Sequence, residues 1–131
     1  MNLYLDSVVV IYLVEQHPRF GPVAVAAVNR LGPTALVGTE LTRMECLILP
    51  RRLQDVPRES DFDHFFSQKY QPFYPADPAV FHLATDLRAK YGKVKTPDAL
   101  HLSAAILSGC DCFVTNDIAL SVVTEIRVEI I

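Results

Sequence analysis

Short apolar segments alternate with longer amphipathic ones along this chain, and each switch is marked by a polar cap, a glycine or a proline. This alternation limits the fold more than any other feature, because strands separated by helices are joined by crossovers and pair in parallel. Asn2–Leu5, Ala35–Val37, Cys112–Thr115 and Val128–Ile131 read as strands, with Pro72–Tyr74 as a short edge strand. The apolar run of Cys112–Thr115 suits a central strand buried on both faces. Ser7 reads as the N-cap of a helix running toward Glu15 and stopped by Pro18. Pro22 opens a helix over Val23–Leu31 that Gly32 closes. Thr42 or Thr39 caps a helix through Met44, Leu47 and Ile48 that ends at Pro50, and Asp61–Lys69 forms another. Asp77-Pro78 and Thr96-Pro97 each open a helix, closed by Gly92 and Gly109. The expected fold is three-layer α/β, with a mostly parallel sheet and helices on both faces.

With 131 residues the chain is expected to be one domain, 1–131. Its longest uninterrupted apolar run, Val8–Val14, has seven residues, whereas a membrane span needs about 20. The N-terminal segment carries no basic stretch, so no signal peptide is expected and the assignment is cytoplasmic, without membrane attachment. Cys46, Cys110 and Cys112 are odd in number and irregular in spacing, which fits neither a disulfide framework nor a zinc site. The formal net charge of −3 argues against a general nucleic-acid coat. If the chain handles nucleic acid, it does so locally or with metal ions.

In open α/β sheets, ligands bind beyond the carboxyl ends of the strands. Asp6 directly follows the first strand, and Asp117 lies two residues after Thr115. Glu45 (on the Thr42 reading) and Asp98 fall in the first turns of helices. These four acids come from four separate elements and are placed to converge at one sheet edge. Convergent carboxylates repel one another and raise each other's pKa, so such a cluster persists with cations that neutralise it. Hard oxygen donors suit Mg²⁺ or Mn²⁺. Two such ions would move the net charge from −3 to +1 and can flank a phosphodiester in hydrolysis. Each acid also has a purely structural reading. Asp98 can complement a helix dipole, Glu45 can complete a capping box, and Asp117 can cap a short helix through Leu120.

Neighbouring residues follow the same logic. Ser7, Thr115 and Asn116 are candidates to hold a carboxylate rotamer, a metal-bound water or a phosphate; capping, strand termination and a turn are their structural alternatives. His101 lies one helical turn from Asp98 but reads as a packed helix histidine between Leu100 and Leu102, and Cys46 reads as a core residue. Lys93 and Lys95 precede Thr96-Pro97-Asp98 and are candidate phosphate contacts that would position a nucleic acid without reading its sequence. Arg51, Arg52, Arg58, Arg88 and Lys90 belong to further basic clusters, Arg58 and Arg88 reading as solvated face. Phe62, Phe65 and Phe66 read as core or a partner surface.

The segments Leu3-Tyr4-Leu5-Asp6-Ser7, Thr39-Glu40-Leu41-Thr42-Arg43-Met44-Glu45-Cys46-Leu47, Thr96-Pro97-Asp98-Ala99-Leu100-His101-Leu102 and Phe113-Val114-Thr115-Asn116-Asp117 carry a resemblance. Their acids are separated by 39, 53 and 19 residues. Across nearly its whole length the chain resembles the PIN domain family, most closely the VapC-type toxins of bacterial toxin–antitoxin pairs. The resemblance implies a five-stranded parallel sheet and a Mg²⁺- or Mn²⁺-dependent endoribonuclease. It implies that Asp6, Glu45, Asp98 and Asp117 form the catalytic and metal site, directly or through metal-bound water. It also implies a homodimer restrained by a cognate antitoxin. Two other readings stand beside it. One is a non-catalytic RNA- or protein-interaction module on the same fold. The other is a receiver-like phosphotransfer domain, although Glu40 rather than Asp follows the second strand and no lysine follows Thr115.

Overall fold

The computed structural model describes residues 1–131. Strands β1 (Asn2–Leu5), β2 (Ala35–Val37), β3 (Cys112–Thr115) and β4 (Arg127–Ile130) form one sheet in the order β2-β1-β3-β4. All three ladders are parallel; Tyr4 pairs with Val37 on one side and Phe113 on the other. Helices α1 (Ser7–Val14), α2 (Phe20–Leu31), α3 (Glu40–Arg52), α4 (Val56–Lys69), α5 (Pro78–Lys90) and α6 (Thr96–Leu107) supply the outer layers, and a 3-10 helix spans Ile118–Val122.

The period-two alternation of the strands divides the core cleanly. Leu3, Leu5, Leu36, Cys112 and Val114 face one side, against Val9, Val10 and Ala24 of α1 and α2, Leu47 of α3 and Phe62 and Phe66 of α4. Tyr4, Val37 and Phe113 face the other, against Ala84 and Leu87 of α5, Ala99, Leu102 and Ala105 of α6, and Leu120. The Phe62–Phe66 stripe is therefore core. The chain leaves β1 toward the first face, through α1, and leaves β3 toward the second, through the 3-10 helix. This divergence opens a crevice between the carboxyl ends of the two central strands, the usual ligand position in such sheets.

The sheet has four strands, not five. The segment expected as an edge strand contributes a single parallel bridge, Leu36 to Tyr70, followed by hydrogen bonds from Gln71 N to Leu36 O (3.1 Å) and Tyr74 N to Gly38 O (2.9 Å). Pro72 and Pro75 offer no amide, so the ladder cannot extend. Gly38 is required here: a Cβ would lie 2.9 Å from the Tyr70 ring.

Several boundaries differ from expectation. Asp6, not Ser7, is the N-cap of α1. Helix α2 starts at Phe20, before Pro22, and α3 continues past Pro50 to Arg52. Helix α4 starts at Val56 because Asp55 caps it, accepting from Arg58 N at 3.1 Å. Lys95 precedes α6 without a side-chain cap, so Thr96 is already helical. Arg88 and Arg58 are not simply solvated. Arg88 braces the loop before α6 through Val94 O (3.2 Å) and Thr96 Oγ1 (2.9 Å), and Arg58 pairs with Glu15 and Asp55. All three cysteines are free thiols.

Candidate active site

Asp6 sits where β1 becomes α1. Its amide still belongs to the sheet, donating to Val114 O at 2.9 Å. Its carboxylate accepts from Ser7 N (2.8 Å) on Oδ1 and from the Thr115 hydroxyl (2.7 Å) on Oδ2. The buried Thr115 Oγ1 in turn accepts from Asp117 N at 3.1 Å. One hydroxyl thus ties the acid after β1 to the segment after β3, on adjacent strands across the crevice. Burial pushes the Asp6 pKa above the ordinary carboxylate range, against the Thr115 hydrogen bond.

Asp98 lies in the first turn of α6, half-buried, and its pKa is also raised. Burial contributes first, then the negative charges of Asp6 and Asp117, with Glu45 adding to them against His101. The field at Asp98 thus places it in one electrostatic cluster with Asp6 and Asp117. Asp117 also does the structural job expected of it, accepting from Ala119 N at 3.0 Å as the cap of the 3-10 helix.

Glu45 reaches the same crevice from α3. It is not part of a capping box: Thr39 is the N-cap and Thr42 its reciprocal partner, which places Glu45 in the second turn. Its Oε1 accepts from the Ser7 hydroxyl (2.8 Å) and from His101 Nε2. Burial alone would raise its pKa, but the hydrogen bond and charge of His101 and the Ser7 hydroxyl outweigh it and hold Glu45 below the ordinary range. The carboxylates are therefore of two kinds: Asp6 and Asp98 are disfavoured as anions, and Glu45 is favoured.

His101 is buried, as expected, but it is a bridge rather than packing alone. Its Nδ1 lies 2.7 Å from the hydroxyl of Tyr4, which also meets Thr39 Oγ1 (3.2 Å) and Thr42 Oγ1 (3.1 Å). The sequence reading missed the role of Tyr4, Thr39 and Thr42. The available signal was the combination of a tyrosine on a central strand with a histidine on an Ala- and Leu-rich helix, since both need polar partners when buried. Asn116 is exposed and donates to the Tyr12 hydroxyl at 3.1 Å, and Lys93 and Lys95 are exposed in the loop before α6. Cys46 is core; its thiol pKa is pushed up by burial.

A concavity alone does not mark the site. A pocket of about 330 Å³ between α1, α2 and β2 is lined by Leu13, Val25, Val28 and Phe65 and contains no acid. The crevice is singled out by its chemistry: four partly exposed carboxylates from four elements, with the pKa values of Asp6, Glu45 and Asp98 displaced from the ordinary range.

A parallel α/β sheet with acids at the carboxyl ends of its central strands defines a class of folds that carry their ligand site at that edge. The PIN domain family profile matches residues 3–126, so the chain belongs to the PIN domain family. It shares its fold with a chain in the crystal structure of VapBC2 from Rickettsia felis bound to a DNA fragment from their promoter. That match has a TM-score of 0.78 at 16% identity and covers 98% of each chain. A toxin–antitoxin complex from Klebsiella pneumoniae matches with a TM-score of 0.71 at 19% identity, over 95% of this chain and 94% of that one. No curated protein sequence matches the chain.

Proposed function

We propose that this protein is a divalent-cation-dependent endoribonuclease, the toxin of a toxin–antitoxin pair, acting through Asp6, Glu45, Asp98 and Asp117. The observation that carries the reading is the electrostatic strain in the crevice: Asp6 and Asp98 are raised in pKa with no lysine or arginine ion pair to relieve them. A PIN fold with that arrangement is suited to a cationic guest.

The donor set fits Mg²⁺ or Mn²⁺, being hard oxygen throughout. No three of the His, Cys, Asp and Glu side chains stand close enough to form a ligand cage by themselves. The fit is to an ion that keeps several waters and takes one or two carboxylates, as Mg²⁺ commonly does. When bound, such an ion supplies neutralisation of the phosphate charge and a more acidic water. The chain's own residues do the rest. Thr115 fixes the Asp6 rotamer, and Ser7 fixes Asp6 through its amide and Glu45 through its hydroxyl. Lys93 and Lys95 hold RNA phosphates near Asp98, and Asn116, engaged with Tyr12, shapes the rim. The likeness to VapBC2 and to a toxin–antitoxin complex supports a protein antitoxin as partner, and a homodimer belongs to the same reading.

The test is incubation of the purified protein with total RNA, with and without Mn²⁺, and mapping of new 5′ ends against Asp6→Asn. Mn²⁺-dependent ends absent with the variant are expected. RNA retained without cleavage would favour instead a non-catalytic binding module on the same fold.

A further inference from the structure

We propose that His101 and Tyr4 are positioning residues that aim Glu45, and that their buried hydrogen-bond chain leaves one chosen carboxylate oxygen for the site. This inference rests on the reading of Glu45 as a site carboxylate and deepens it.

The chain of contacts is closed at every atom but one. Ser7 Oγ and His101 Nε2 both direct their hydrogen bonds to Glu45 Oε1. Oε2 accepts no hydrogen bond from the protein and is the atom left for a ligand. Nε2 is committed to the carboxylate, and the other ring nitrogen, Nδ1, is committed to the Tyr4 hydroxyl over 2.7 Å, so both nitrogens of the ring are engaged. The Tyr4 oxygen then accepts from the hydroxyls of Thr39 and Thr42. Those two threonines are pinned by accepting from each other's amides, Thr42 Oγ1 from Thr39 N and Thr39 Oγ1 from Thr42 N. Burial pushes the Tyr4 pKa up, which keeps the hydroxyl a donor.

Rigidity supports the same role. Tyr4 and His101 are 0% and 1% exposed, whereas Glu45 is only half-buried. Tyr4 is further fixed by stacking on Phe113, with ring centroids 5.5 Å apart, and by an edge contact with His101 at 5.6 Å. A long, flexible glutamate on α3 is thus anchored to the central strand through two side chains that cannot turn. Groups of this kind, behind a ligand, typically alter metal affinity or activity by about 10–100-fold.

The capping pair Thr39–Thr42 gains a second purpose on this view. It starts α3 and also terminates the chain that aims Glu45 six residues beyond the cap. A site carboxylate and the first turn of its own helix are therefore set by the same two hydroxyls.

The experiment is Mn²⁺ titration, by melting shift and by free-ion measurement, of the full chain and of His101→Asn, His101→Gln, Tyr4→Phe, Glu45→Gln and the Glu45→Gln/His101→Asn double variant. An Asn amide reaches the Nδ1 position and keeps Tyr4 company but not Glu45; a Gln amide reaches Nε2 and can still donate to Glu45. Expected are a loss of about 10–100-fold in Mn²⁺ affinity for His101→Asn, partial rescue in His101→Gln and a smaller loss for Tyr4→Phe. In the Glu45→Gln background His101→Asn should cost less than about twofold, because its effect runs through Glu45. On RNA, His101→Asn should lower kcat with KM little changed. Full affinity in His101→Asn with native circular dichroism, or losses that simply add in the double variant, overturns the positioning role. Equal Mn²⁺ affinity in wild type and Glu45→Gln overturns the site reading itself, and the positioning role with it.

Discussion

The β4 edge and the β1–β3 crevice handle negative charge in opposite ways. At the edge, Glu129 is paired twice, with Arg30 at 2.5 Å and Arg127 at 3.2 Å, and the Arg30 hydrogen bond holds its pKa below the ordinary range. Nearby, the Tyr91 hydroxyl and Lys90 do the same for Glu125. In the crevice, Asp6 and Asp98 are buried further and both are raised by that burial; the negative charges of Asp6 and Asp117 add to it at Asp98, while Thr115, His101 and Ser7 only partly offset it at Asp6. The edge acids serve the fold. Asp6 and Asp98 instead carry a desolvation cost at the carboxyl ends of central strands, which is what makes the crevice the candidate site.

That contrast can be broken by experiment, beginning with activity. Asp6→Asn should reduce RNA cleavage by at least the order of 10³-fold, the scale on which charge-stabilising groups act, with an unchanged circular dichroism spectrum because Asn also caps helices. Glu129→Gln should leave cleavage intact. Comparable losses in the two variants would erase the distinction between the regions.

Metal linkage is the next largest effect. Mn²⁺ at a hundredfold excess over Kd should stabilise the wild type by about 2.7 kcal/mol, seen as several degrees in Tm. Asp98→Asn should lose most of that shift. If the shift is the same in both, Asp98 stands outside the cation site and belongs to α6 alone.

Without metal the two regions should respond with opposite signs. Asp98→Asn relieves repulsion and should raise the Tm of the apo protein by a degree or two. Glu129→Gln removes ion pairs at the surface and should lower stability by less than about 1 kcal/mol. A drop in both variants would mean that the crevice is not strained.

The smallest effect is in pH. Asp6 and Asp98 have raised pKa values in the folded chain, so the native state binds more protons than the unfolded one between the ordinary carboxylate value and the raised one. Their contribution therefore falls as pH rises through that window. Glu45 and Glu129 run the other way: their stabilisation is present above the ordinary value and is lost as pH falls through their lowered values. The stability advantage of metal-free Asp6→Asn over wild type should accordingly shrink as pH falls from above the raised Asp6 value toward the ordinary carboxylate value, measured as urea midpoints. A constant advantage would remove Asp6 from the titrating pair.

Local chemistry wrote much of this molecule in advance. The two central strands, the Asp77 cap, the Pro-opened helices and the position of Asp6 after β1 follow from residues within a few places of one another, where turn chemistry and periodicity act. Asp117 was legible both as an acid beyond β3 and as a cap, and it is placed for both. The outcome at Glu45 was not legible, because Thr39 and Thr42 compete equally well as caps in sequence. In the structure Thr39 is the cap and Thr42 closes the box, and both hydroxyls meet the Tyr4 hydroxyl in the buried core. The missing fifth strand was decided by a parallel contact at Tyr70 that two prolines keep from spreading. His101 looked like packing because its partners lie 56 and 97 residues away along the chain. A buried imidazole must find a donor and an acceptor, which the sequence does foretell; which groups supply them is fixed only when α6, α3 and β1 are packed together.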